Sequence, residues 1–89
     1  MDILFLRQAH HFIKKSDPPL KAKIKEEVLK IADTPTLGEP LHGNLKGLRS
    51  HHFRFVRTHY RIAYFVKNDL IIVTVASREN FYRDLERNR

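Results

Sequence analysis

Cysteine is absent from the 89 residues. That excludes disulfides, a thiolate nucleophile and a thiolate metal site, and it fits a reducing cytosol. No Gly-rich phosphate loop, nucleophile elbow or His-Glu-x-x-His occurs, so no metal and no cofactor are expected. There is no internal repeat and no low-complexity tract. The start, Met1-Asp2-Ile3-Leu4-Phe5, has no basic flank and only a brief apolar run before Arg7. Neither a signal peptide nor a membrane span is therefore expected, and the expected location is cytoplasmic. The most informative absence is local: from Pro40 to Asn68 there is no acidic residue.

That stretch instead carries Lys46, Arg49, Arg54, Arg57, Arg61 and Lys67, together with four of the six histidines, His42, His51, His52 and His59. Cations at this density must repel one another or face something negative, and a nucleic-acid backbone is the commonest negative partner. The whole chain agrees, with a formal charge of +7 and an isoelectric point near 10.1. RNA, DNA or a neutralising acidic protein is the expected partner class. The length and a hydrophobic fraction of 42% suit one folded domain over residues 1–89 with a single small core.

Ile3 to Phe5 reads as a short strand, and Leu6, Ala9, Phe12 and Ile13 then recur at helical spacing up to Lys15. Ser16-Asp17-Pro18-Pro19 is a helix start, with Ser16 or Asp17 as the cap. Leu20, Ile24, Val28 and Ile31 mark the apolar stripe of a second helix, whose lysines read as a solvated face. So short a join makes an antiparallel helical hairpin able to cover a sheet. Residues 36–47 read as a loop that brings His42 and Lys46 to the strand edge. His51 to Arg57 alternates Phe53 and Phe55 with His52 and Arg54; Tyr60 to Lys67 follows, and Asn68-Asp69 signals a tight turn before Leu70 to Ala76. Ser77 is the expected cap of a last helix to about Arg87, with Phe81 and Leu85 facing inward and Arg78 and Tyr82 sharing another face. The expected fold class is α+β in the order β-α-α-β-β-β-α, an antiparallel meander with a helical hairpin on one face and a C-terminal helix.

In Leu48 to Tyr64, a Gly-Leu start leads to basic residues alternating with aromatics and then to Tyr60-Arg61-Ile62-Ala63-Tyr64. This resembles the central hairpin of RelE-type toxins of the RelE/ParE superfamily. Ser77-Arg78-Glu79-Asn80-Phe81-Tyr82 is similar to the end of that family's last core strand and its Arg-x-x-x-Tyr signature. The resemblance implies a RelE-like fold and an mRNA interferase that cuts mRNA in the ribosomal A site. It also implies a cognate antitoxin that is acidic or carries an amphipathic helix covering the basic surface. Two basic strand positions of the family fall on His52 and Arg54, while Val56 replaces a further one. Tyr82 matches the late tyrosine, with a role in proton transfer or in stacking on a base.

Cleaving RNA without a metal needs a base for the ribose 2′-hydroxyl, cations for the phosphoryl oxygens and an acid for the leaving 5′-oxygen. Arg54 and Arg61 are the candidates to hold the phosphate, because a guanidinium presents a fixed fork of donors. Histidine is the side chain suited to proton transfer near neutral pH, and His52 shares a face with Arg54, which makes it the preferred base. Arg78 at a helix start runs against the helix dipole, so a phosphate contact accounts for it better. His42, Lys46, Arg49 and Arg57 are the further expected RNA contacts. Two alternatives stay open: a ParE-type protein of the same fold that binds DNA gyrase, and a nucleic-acid-binding module without chemistry.

Overall fold

The structure, a computed structural model, describes residues 1–87. Its elements are β1 (Ile3–Phe5), α1 (Arg7–Lys15), α2 (Pro18–Asp33), β2 (Glu39–Pro40), β3 (Arg49–Phe55), β4 (Thr58–Lys67), β5 (Asp69–Ser77) and α3 (Phe81–Arg87). The strands form one sheet in the order β1-β5-β4-β3-β2. β3, β4 and β5 are the antiparallel meander expected from the alternation, and β1 lies parallel to β5 at the far edge.

Period-two alternation sorts the sheet's side chains onto two faces. Phe53, Ile62, Tyr64, Ile72 and Val75 face the helical hairpin and pack against Ala9, Ile24, Val28 and Ile31. The opposite face presents Ala63, Val73 and Ala76 to Phe81 and Leu85 of α3. A helix of seven residues does not hold in water by itself. Complete burial of Phe81 and Leu85, at about 2 kcal/mol each, supplies the missing stabilisation.

One edge needs an additional device. β1 reaches only as far as Ile72 along β5, which leaves the outer edge of β5 open beyond that point. Gln8 of α1 closes it: its side-chain amide donates to the Val75 carbonyl and accepts from the Val75 N–H, both at 3.1 Å. The register shift at Ala63/Tyr64, where the partner changes from Thr74 to Ile72, leaves Val73 as an extra residue in the same stretch.

Several local expectations are corrected. Neither Ser16 nor Asp17 caps α2 through its side chain. The Ser16 hydroxyl donates back to the Phe12 carbonyl at 2.8 Å, and Pro18 and Pro19 remove two of the amides that a cap would satisfy. Ser77 is not a cap either, because pairing with Tyr60 keeps it in β5. Asn80 immediately precedes α3, and its carbonyl accepts the Asp84 N–H at 2.9 Å. Arg78 therefore sits in the turn before the helix, and the dipole argument for it lapses. Within residues 36–47 the chain forms β2, paired to β3, and a 3-10 turn at Gly43–Leu45.

The β3–β4 turn is tighter than expected, with Phe55 already opposite Thr58. Val56 takes φ 58° there and is 76% exposed, so it lies at the hairpin tip and off the strand. Asn68 takes φ 65° in the next turn, where an asparagine tolerates the left-handed region. A β-branched residue does not, at a cost of roughly 1–2 kcal/mol. Val56→Asn is therefore expected to raise stability by about 1 kcal/mol. The check is a denaturant titration in which the midpoint rises at unchanged slope; an unchanged midpoint would show that the turn is unstrained.

Candidate nucleic-acid interface

The sheet face that carries α3 also carries the charge. His52 pairs with Arg61 and Arg54 with His59 directly across β3 and β4, so the four side chains share that face. Glu39 pairs with Ser50 and joins the same face from β2. A hollow of about 290 Å³ lies among Glu39, His52, His59, Tyr60, Arg61 and Arg78. A second depression, of about 330 Å³, shares His59 and Arg78 with it and adds Arg57, Thr58, Ser77 and Glu79. The Arg78 N–H donates to the His59 carbonyl at 2.9 Å, which fastens the turn before α3 to the start of β4.

Arg61 is the cation with the most definite environment. Its Nη1 donates to Ser50 Oγ at 3.4 Å, and its guanidinium stands 5.9 Å from the centre of the Phe81 ring. Nε is buried without a hydrogen-bond partner, and no carboxylate pairs with Arg61 among the described residues. A buried donor left without a partner is costly.

The other expected residues are distributed around this centre. Arg54 lies on the same face outside the hollow, with Nε donating to the Val56 carbonyl at 3.3 Å. Tyr82 is 47% exposed, stands edge-on to Phe81 at 5.0 Å, and does not line the hollow. His42, Lys46 and Arg49 line a separate depression of about 550 Å³ along the 40–49 segment. Arg49 Nη1 is engaged by the Gly38 carbonyl at 2.7 Å. His51 points to the helical side, where its Nε2 lies 2.8 Å from Glu27 Oε1.

Sequence reasoning missed Glu39, which lies one residue outside the acid-free stretch. Only the pairing of β2 with β3 places this carboxylate among the cations. A cavity of about 620 Å³ between the helical-hairpin turn and Asp84 brings together no comparable set of cations. Among the described residues, no three His, Asp or Glu side chains are grouped to hold a metal ion. No helix there is long and apolar enough to cross a membrane.

The small α+β architecture, a meander sheet with a helical hairpin on one face and a closing C-terminal helix, matches RelE-like folds. The model of the ParE-like toxin family of type II bacterial toxin-antitoxin systems matches residues 3–86, and the chain belongs to that family. Among solved structures, the chain is similar to one in the RelBE2 toxin-antitoxin complex of Mycobacterium tuberculosis, at 24% identity and a TM-score of 0.72, covering 86% of this chain and 96% of that one. It is also similar to a chain of the intact RelBE complex of E. coli, at 14% identity and a TM-score of 0.68, covering 84% and 93%. A conserved hypothetical protein of Helicobacter pylori, HP0894, shares the fold at 16% identity and a TM-score of 0.52, covering 89% and 96%. Among curated proteins none matches the sequence.

Proposed function

We propose that this toxin is a metal-independent endoribonuclease that cuts mRNA on the ribosome by attack of the ribose 2′-hydroxyl. The observation that carries the reading is Arg61, held by Phe81 and Ser50 with an unsatisfied buried Nε, beside Arg78 and His52 in one hollow. In this reading Arg61 and Arg78 grip the non-bridging oxygens of the scissile phosphate. As the O2′–P bond forms, the 2′ proton passes to an acceptor; His52 and Glu39 are the two groups at hand. As the P–O5′ bond breaks, His59 is the group at hand to supply a proton to the 5′-oxygen, leaving a 2′,3′-cyclic phosphate and a 5′-hydroxyl. Arg54 and Arg57 continue the cationic track outside the hollow, and Tyr82 offers an exposed ring for a base to stack on.

A cognate antitoxin is the proposed inhibitor. An apolar groove of about 400 Å³ between Ile3, Phe5, Ile13, Ile24 and Val28, rimmed by Lys21 and Lys25, suits an acidic amphipathic helix. It lies on the hairpin face, away from the hollow, so the antitoxin must reach the cations with a further segment to neutralise them.

A second reading rests on the family description itself, which is ParE-like: inhibition of DNA gyrase without nuclease chemistry. Induction in a bacterium separates the two. Growth arrest with discrete cuts mapped on mRNA by primer extension is the expected result. Arrest with DNA damage and intact messages would establish the gyrase reading, and absence of arrest with salt-sensitive RNA binding would leave a binding module.

A further inference from the structure

The segment that delivers Glu39 is held more firmly than an edge strand of its size can hold itself. β2 consists of Glu39 and Pro40 alone, and proline gives no donor to a ladder. The residue before it is fastened at both backbone groups. The Gly38 N–H donates to Tyr64 Oη at 2.8 Å, and the Gly38 carbonyl accepts from Arg49 Nη1 at 2.7 Å. The Tyr64 hydroxyl donates in turn to the Pro35 carbonyl at 2.7 Å, and the tyrosine is fully buried. Glycine is required for so close an approach: a Cβ at Gly38 would meet Tyr64 Oη at 2.7 Å and the Ser50 backbone carbon at 3.0 Å. The Glu39 carboxylate, by contrast, enters no ion pair among the described residues. The backbone that carries Glu39 to the cationic hollow is thus fixed on both sides, which is one requirement of a preorganised site.

We infer that Tyr64 and Arg49, closing on Gly38, set the position of Glu39 in the hollow and are positioning residues for the cleavage step. Neither side chain lines the hollow; both act through the carboxylate. The inference rests on the nuclease reading and gives Arg49 a role different from the RNA contact expected of it.

The test uses the full chain acting on mRNA bound to ribosomes, with Tyr64→Phe, which keeps the buried ring, and Gly38→Ala, each alone and combined with Glu39→Gln. Single-turnover cleavage by each single variant is expected to slow by about 10- to 100-fold, as small misplacements of a reacting group do. The dissociation constant for an RNA bearing a 2′-deoxy block at the cut site should stay unchanged. In the Glu39→Gln background the further loss should vanish, because the group being positioned is gone. A loss that persists in that background, a weakened binding in place of a slower cut, or wild-type cleavage by Glu39→Gln would each overturn the inference. Should the wild type cut no mRNA on the ribosome, the nuclease reading fails, and hydrogen exchange then judges the anchor separately. Faster exchange at the Leu41 amide, bonded to the Leu48 carbonyl at 2.9 Å, is expected in Tyr64→Phe; unchanged protection would sink the anchor.

Discussion

Arg61→Ala is expected to slow RNA cleavage by roughly 100- to 1,000-fold, or about 2.7–4 kcal/mol, the usual cost of deleting one preorganised donor to developing charge. The fold should survive the change. Arg61 makes one long hydrogen bond to Ser50, at 3.4 Å, and rests against Phe81. The lost ring contact costs on the order of 0.5–1 kcal/mol, while deleting a buried donor without a partner removes a penalty. Activity and stability therefore separate at this residue, which a merely structural arginine would not allow. Arg61→Lys keeps the charge but loses the fork, so its rate should fall between those of Ala and wild type. A cleavage rate within a few-fold of wild type for Arg61→Ala, with the folded state intact by circular dichroism, would remove Arg61 from the site.

The second large effect lies on the opposite face of the sheet. Glu27 is 3% exposed, and its carboxylate receives Lys30 at 2.9 Å, His51 at 2.8 Å and Lys23 at 3.1 Å, which ties α2 to β3. Burial by itself would raise its pKa. The hydrogen bonds from Lys30, His51 and Lys23 outweigh that and hold it at about 2, against an ordinary 4.5. The folded-state value lies below the unfolded one, so the stabilisation is complete above about pH 5 and drains away as the pH falls toward about 2. Its size at neutral pH is about 3 kcal/mol. Glu27→Gln should lose about that much stability at pH 7 and little at pH 2, flattening the acid limb of the stability curve. Parallel curves for the two proteins between pH 5 and pH 2 would show that Glu27 is not the group responsible.

Neither the hydrogen-bonded Glu27 cluster nor the Glu39 hollow was legible from spacing; α2, β3 and β4 were, whereas β2, which carries Glu39, lies in a stretch that reads as loop. Leu20, Ile24, Val28 and Ile31 announced the buried stripe of α2, and Ile24, Val28 and Ile31 are buried. The spacing puts the lysines on a solvated face, and Lys30 is half exposed. Lys23 and Lys30 nevertheless converge on a glutamate that the apolar stripe carries inward beside Val28. The alternation in β3 put His52 and Arg54 on one face and His51 on the other, as the pairing bears out. It could not show that Arg49 turns to the Gly38 carbonyl, because that contact joins residues on a strand and in a loop whose course composition does not specify.

Local chemistry was enough for the meander, the helical hairpin, the closing helix and the collection of positive charge, because periodicity and turn residues act over a few neighbours in the chain. The resemblance carried by the β3–β4 hairpin and by Arg78 and Tyr82 was likewise written along the chain, and the family match agrees with it. Which cations meet was decided only in three dimensions. Strand pairing sets Arg61 opposite His52, the turn before α3 brings in Arg78, and a two-residue edge strand adds Glu39. The physical reason is that a site is made of cross-strand neighbours, and a one-residue difference in register or a short unrecognised strand changes which side chains share a face while leaving every local pattern as it was.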